Sequence, residues 1–185
     1  MKTRRQVFLV LVLLIPVYSS ADEAPAAALL TALAGTWKGQ LYYVDYGSGQ
    51  RSSIPLSVMA EVTPDGVTLI RRQTFTDPGR RVHAVSLTSF DTNTGDLIES
   101  YFREGSGELN RYRVSRIERT ASGEWFLDYE ETGRDDNRPA QIRHQLKLDG
   151  NTLNSTKSVR FIEDGEAAVF LLRNGTTLIR GNVGE

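Results

Sequence analysis

Strict alternation marks the middle of the chain. Ile54, Leu56, Val58, Ala60 and Val62 are separated by Pro55, Ser57, Met59 and Glu61, and Ile142, His144, Leu146 and Leu148 by Arg143, Gln145 and Lys147. Successive side chains on a strand point to opposite faces, so a period of two predicts strands with one buried face. Helical spacing is confined to Leu29, Leu30 and Leu33, a single apolar patch on one or two turns. The runs between are rich in Val, Ile, Leu, Tyr and Phe. They end in turn chemistry such as Pro64-Asp65-Gly66, Asn93-Thr94-Gly95, Asp149-Gly150 and Asp164-Gly165, which supplies the positive φ angles of tight hairpins. The spacing predicts about ten strands, at 37–46, 52–62, 67–76, 82–90, 97–104, 109–119, 124–132, 140–148, 152–162 and 167–173, with a short tail at 176–180. The longest loop is expected at 133–139, where Arg134, Asp135, Asp136 and Arg138 are charged.

No helical crossover separates these strands, so they are antiparallel. A sheet of this many hairpins with one apolar face has to close, because open edges recruit other chains. Short neighbour-to-neighbour connections predict an all-β, up-and-down barrel rather than a sandwich.

The first residues follow a different rule. Lys2, Arg4 and Arg5 precede an apolar run from Val7 to Val17, which ends in Tyr18-Ser19-Ser20-Ala21. That is the pattern of a secretory signal peptide, with cleavage after Ala21. The run is shorter than the roughly 20 residues of a spanning helix. The expected organisation is therefore a signal peptide at 1–21, a flexible Ala- and Pro-rich leader at 22–28 and one barrel domain at 29–185.

Composition narrows the partners. Without the signal peptide, 19 basic residues face 23 acidic ones, a charge of about −4. Such a domain has no electrostatic reason to seek nucleic acid or an anionic membrane. The chain has no cysteine. An exported domain of this kind is stabilised by burial alone, without disulfides or a lipid anchor. A periplasmic or secreted location is expected.

Leu33-Ala34-Gly35-Thr36-Trp37-Lys38-Gly39 resembles the Gly-x-Trp opening of lipocalins and related calycin barrels. Leu41 to Gly49 and Asp77-Pro78-Gly79 are similar to a group of uncharacterised secreted bacterial lipocalin-like proteins. The resemblance implies a lipocalin-like barrel in which a helical turn precedes the first strand. It also implies that an arginine near the end of the last strand packs across Trp37. Arg173 is the expected partner, with Arg180 as the alternative. No activity follows from it.

Signals for chemistry are sparse. His83 and His144 lie on different predicted strands, neither with a second ligand at metal-site spacing. Asp91 to Asp96 lacks the order of a calcium loop. No Gly-x-Ser-x-Gly elbow is present. Neither a metal nor a cofactor is expected. What remains is a set of polar side chains in phase with apolar positions. Tyr43 follows Trp37 and Leu41; Arg71 follows Leu69; Arg113 lies between Leu109 and Ile117; Tyr129 follows Trp125 and Leu127. His144 shares the apolar face of its strand, and Tyr101 joins the set on a strand of ambiguous phase. A buried arginine without a partner is costly. Arg71 and Arg113 must therefore pair with inward acids such as Asp45, Glu99 or Glu131, or line a wet cavity where a guanidinium receives a ligand anion.

Three functional readings stand, in this order. The barrel binds a small amphipathic or anionic molecule through Tyr43, Arg71, Tyr101, Arg113, Tyr129 and His144. It is an isomerase- or hydrolase-type enzyme with His144 as general base. Or it is an envelope interaction module without a ligand. The signal-peptide reading predicts that protein recovered from the periplasm of an expressing bacterium begins at Asp22. Intact-mass measurement checks this, and a mass that still includes Met1 to Ala21 contradicts it.

Overall fold

The computed structural model describes residues 25–181. A helix, α1 (Pro25–Leu33), leads into ten strands: β1 (Gly35–Val44), β2 (Arg51–Val62), β3 (Thr68–Asp77), β4 (Arg80–Phe90), β5 (Leu97–Arg103), β6 (Ser106–Arg119), β7 (Trp125–Asp135), β8 (Arg138–Asp149), β9 (Thr152–Phe161) and β10 (Leu171–Arg180). Each strand pairs antiparallel with its chain neighbours, and β10 returns to β1 to close the barrel. The expected signal peptide and residues 22–24 lie outside the described residues. Residues 25–28, read from the sequence as leader, belong to α1. Pro25 suits the first helical position, and the alanines after it are strong helix formers.

Two other expectations change. The segment 133–139 is not a loop. The β7–β8 hairpin continues through Asp135↔Arg138, and Asp136 and Asn137 turn it with φ of 47° and 59°. Two consecutive left-handed residues make the tight turn that suits the natural twist of a hairpin. The long connection instead spans 162–170, so the last strand starts at Leu171 and absorbs the expected tail. Register also shifts on β6 between Val114 and Arg116, and on β10 between Leu172 and Asn174. Each bulge adds one residue to one strand and reverses its inside–outside phase.

The apolar core occupies the end of the barrel covered by α1. Leu29, Leu30 and Leu33 are buried there against Trp37, Leu56, Val58, Leu69, Trp125 and Leu148. The indole of Trp37 donates from Nε1 to the carbonyl of Leu33 at 3.0 Å. The guanidinium of Arg180 lies 4.1 Å above that indole. It donates to the carbonyls of Ala32, at 2.6 Å, and Ala34. The last carbonyls of a helix have no partner within it, and a cation at this end also complements the helix dipole. Gly35 makes the approach possible: its φ is +124°, and a Cβ there would stand 2.7 Å from Arg180 Nη1. Arg180 thus holds the place the sequence assigned first to Arg173.

Trp37→Ala empties the centre of this cluster and frees the carbonyl of Leu33. Its unfolding free energy in urea is expected to fall by about 3–5 kcal/mol. A loss under about 1 kcal/mol would contradict the packing described.

Candidate functional site

Above the apolar end the lumen becomes polar. The polar inward positions there are Arg71 and Gln73 of β3, Ser86 and Thr88 of β4, Glu99 and Tyr101 of β5, Tyr112 of β6, Tyr129 and Glu131 of β7, His144 of β8, Lys157 and Ser155 of β9, and Asn174 and Thr176 of β10, interspersed with the apolar Val82, Ala84, Ile142 and Val159. Their cross-strand pairs, Arg71↔Ser86, Thr88↔Glu99 and His144↔Lys157 among them, set them on one face. The side chain of Arg71 is 33% exposed although it points inward from mid-strand. Water therefore reaches the inside of the barrel. A cavity of about 90 Å³ lies where floor and polar belt meet, between Trp37, Leu56, Val58 and Leu178 on one side and Arg71, Gln73, Ser155 and Thr176 on the other.

Arg71 is held by its surroundings. Its Nε donates to Ser86 at 3.0 Å and its Nη2 to Thr88 at 3.3 Å, and Nη2 also pairs with Glu99. Glu99 is one of the acids the sequence offered. A guanidinium has five donors, and Nη1 makes none of these bonds.

Beside this pair is an aromatic cluster. Tyr129 and His144 stack with centroids 4.7 Å apart and planes 7° from parallel. Tyr112 meets both edge-on, at 5.0 Å and 5.4 Å. Burial pushes the phenols of Tyr112, Tyr129 and Tyr101 above the ordinary tyrosine value, and the nearby carboxylate of Glu99 adds to it. They remain neutral and present O–H donors. His144 Nε2 is buried without a hydrogen-bond partner. Glu131 Oε1 is 3.8 Å away, beyond hydrogen-bond reach. A general base oriented by a carboxylate is therefore not formed in this state.

Tyr43 continues the inward phase of β1, 38% exposed at the end away from α1, near enough to Tyr101 to affect its ionisation. Of the six residues expected to meet a ligand, Tyr43, Arg71, Tyr101, Tyr129 and His144 share the lumen. Arg113 does not: it points outward and pairs with Glu130. The bulge after Val114 is the reason. It puts Ile117 inside while Leu109, 74% exposed, and Arg113 fall outside. The same phase change sends Tyr112 inward, a residue the sequence reading missed. Its one signal was its place between two outward positions if the phase of Ile117 were not carried across Ser115.

Part of the open end is closed by a latch around Asp135. Its carboxylate accepts from Tyr46 and Lys157, both at 2.8 Å, with Arg173 Nε at 3.5 Å. Arg173, the bulged residue of β10, also donates to the carbonyl of Val44 at 3.0 Å and covers the ring of Tyr46. Tyr46 in turn packs edge-on against Phe161, over Ala140, Ile142 and Val159. In the sequence Asp135 reads as part of a charged loop and Tyr46 and Lys157 are not singled out, because the latch joins residues 89 and 22 positions apart.

The fold and its interior define a ten-stranded, antiparallel up-and-down β-barrel with a partly hydrated lumen. Among solved structures it is similar to Rv2717c from M. tuberculosis, with a TM-score of 0.58 at 15% identity over 85% of this chain and 98% of that one. That likeness concerns the fold. A protein of unknown function from Nostoc punctiforme PCC 73102 aligns at 8% identity and a TM-score of 0.22, too low to bear on it. No family model matches the chain, and no curated protein matches it in sequence. Among the described residues no helix is long and apolar enough to cross a membrane.

The latch gives a pH signature. Burial pushes the carboxyl of Asp135 up, but the bonds from Lys157 and Tyr46 outweigh this and hold it below its ordinary 3.8. A depressed folded value contributes stability that is complete above the unfolded value and disappears as pH falls through the folded one. Asp135→Asn is therefore expected to melt below the parent at about pH 7, with the gap narrowing as pH falls below the ordinary 3.8. A gap that persists unchanged in acid contradicts the ionised latch.

Proposed function

We propose that the protein is exported and that its barrel holds a small amphipathic molecule in the lumen, with the apolar part toward α1 and the polar part among Arg71, Tyr101, Tyr129 and His144. The observation that carries this reading is the division of one solvent-reached interior into an apolar floor and a polar belt in which His144 Nε2 is buried without a partner. Barrels not filled by their own side chains hold ligands this way, with few polar groups fixing orientation on an apolar lining. The enclosed cavity of about 90 Å³ is small, so a ligand of more than a few heavy atoms extends along the belt toward the open end.

The charges of the belt favour an amphipathic ligand over a strongly anionic one. Arg71 is paired with Glu99, Lys157 and Arg173 share Asp135, and Glu131 brings the lumenal carboxylates to three against these three cations. A single negative head group is still accommodated by the free Nη1 of Arg71 and the neutral phenols, since hydrogen bonds to a charged acceptor are the stronger kind.

The amphipathic fluorophore 1-anilinonaphthalene-8-sulfonate tests the reading. Its emission is expected to rise saturably at one site per chain and to be reversed by dodecanoate. The double variant Arg71→Gln/Glu99→Gln, which leaves no unpaired charge, is expected to bind about tenfold more weakly, or about 1.4 kcal/mol. Absence of saturable binding to the folded parent contradicts the proposal.

A further inference from the structure

The barrel wall is not continuous. β5 pairs with β6 from Arg103↔Ser106 to Leu97↔Tyr112, and β7 pairs with β8 along its whole length. Between β6 and β7, pairing runs only from Arg119↔Trp125 to Arg113↔Glu130. Beyond that point residues 106–112 and 131–135 make no ladder with each other. The wall parts just past the β6 bulge. There the outer surface sinks into a cleft of about 710 Å³, lined by four arginines, Arg111, Arg113, Arg143 and Arg160, and by the carboxylates of Asp96 and Glu130.

Glu131 lines the same cleft, although alternation along β7 puts it on the inner face. It belongs to both spaces. Its carboxylate is also the group 3.8 Å from His144 Nε2, the buried nitrogen without a hydrogen-bond partner. The cleft therefore meets the lumen where the lumen is least satisfied.

The arginines around the cleft are not equally engaged. Arg113 is paired with Glu130. Arg143 makes no ion pair with another described residue, and its guanidinium lies 4.2 Å over the ring of Phe170. Arg160 lies 5.0 Å from that ring and bonds only neutral groups, the side chain of Gln141 and the carbonyl of Glu166. Two guanidinium groups share one aromatic ring and make no ion pair among the described residues, although the cleft also carries Asp96, Glu130 and Glu131 against its four arginines. Planar forks so placed suit carboxylate, sulfonate or phosphate oxygens.

We propose that the β6–β7 seam is a lateral entrance to the lumen, and that Arg143 and Arg160 bind the anionic head group of an amphipathic ligand whose apolar part passes Glu131 to the interior. This rests on the binding reading above and adds the route and the anchoring site. It also gives the head group a first anchoring point on the outer wall, from which the belt around Arg71 is reached through the seam.

The chain has no cysteine, so one introduced thiol reports the seam cleanly. Two measurements are made with 1-anilinonaphthalene-8-sulfonate: titration of the parent and of Arg143→Gln/Arg160→Gln, and labelling of Glu131→Cys by a sulfonated methanethiosulfonate with and without the fluorophore. The expected result is about tenfold weaker binding by the double variant, together with slower labelling when the fluorophore is bound. Saturable binding by parent and double variant alike, with labelling unaffected by the fluorophore, overturns the seam and leaves the lumen reading standing. No binding to the folded parent overturns both.

Discussion

A sheet whose strands follow one another in chain order becomes a barrel only if the last strand returns to the first, and here one cation fastens that return. β10 meets β1 through seven residue pairs from Trp37↔Arg180 to Tyr43↔Asn174. Arg180, at the closing edge, covers the indole of Trp37 and satisfies the carbonyls of Ala32 and Ala34. A charge placed there does three things at once. It saturates the orphan carbonyl groups at the end of α1, keeps the helix seated in the mouth of the barrel, and buries the largest aromatic of the first strand. Without a seated helix the leucines at 29, 30 and 33 would face water.

That closure also explains why the interior divides as it does. Apolar filling is heaviest where α1 enters, with a second, smaller cluster of Ala140, Ile142, Val159 and Phe161 under the latch, and between the two the inward positions carry tyrosines, arginine, glutamate, lysine and histidine. A packed barrel of this size would place branched aliphatics at those positions. Polar residues there persist only because they satisfy one another, as Arg71 does with Glu99, Ser86 and Thr88, or because water or a ligand completes them. His144 Nε2 is the atom for which the protein itself supplies no partner. The wall opens beside it, where β6 and β7 separate.

Alternation made the barrel legible in the sequence, and turn residues made its strand count legible. The inward phase of Tyr43, Arg71, Tyr129 and His144 followed from the same period, and the short helix from the helical spacing of Leu29, Leu30 and Leu33. The misread phases on β6 share one cause. A β-bulge costs a single residue and leaves no compositional mark, yet it inverts everything beyond it. On β6 it turned Arg113 and Leu109 outward and Tyr112 inward. On β10 the cause was the extent of the strand: it runs to Arg180, which pairs with Trp37, while Arg173 lies at the other end, beside the Tyr43↔Asn174 pair, and joins the latch. Asn137 accepts a left-handed φ that sequence reading grants first to glycine, so the 133–139 hairpin read as a loop. The seam itself was out of reach, since the absence of pairing between two good strands is a property of the closed barrel and of neither strand alone.

The measurement that bears most directly on the central claim, a hydrated lumen built to be completed by an amphipathic molecule, is native mass spectrometry of the protein isolated from the periplasm without denaturation. The account predicts a population carrying a small organic adduct in one copy per chain, released when the barrel is unfolded. A single bare-chain mass, unchanged when dodecanoate is added in excess, would contradict it.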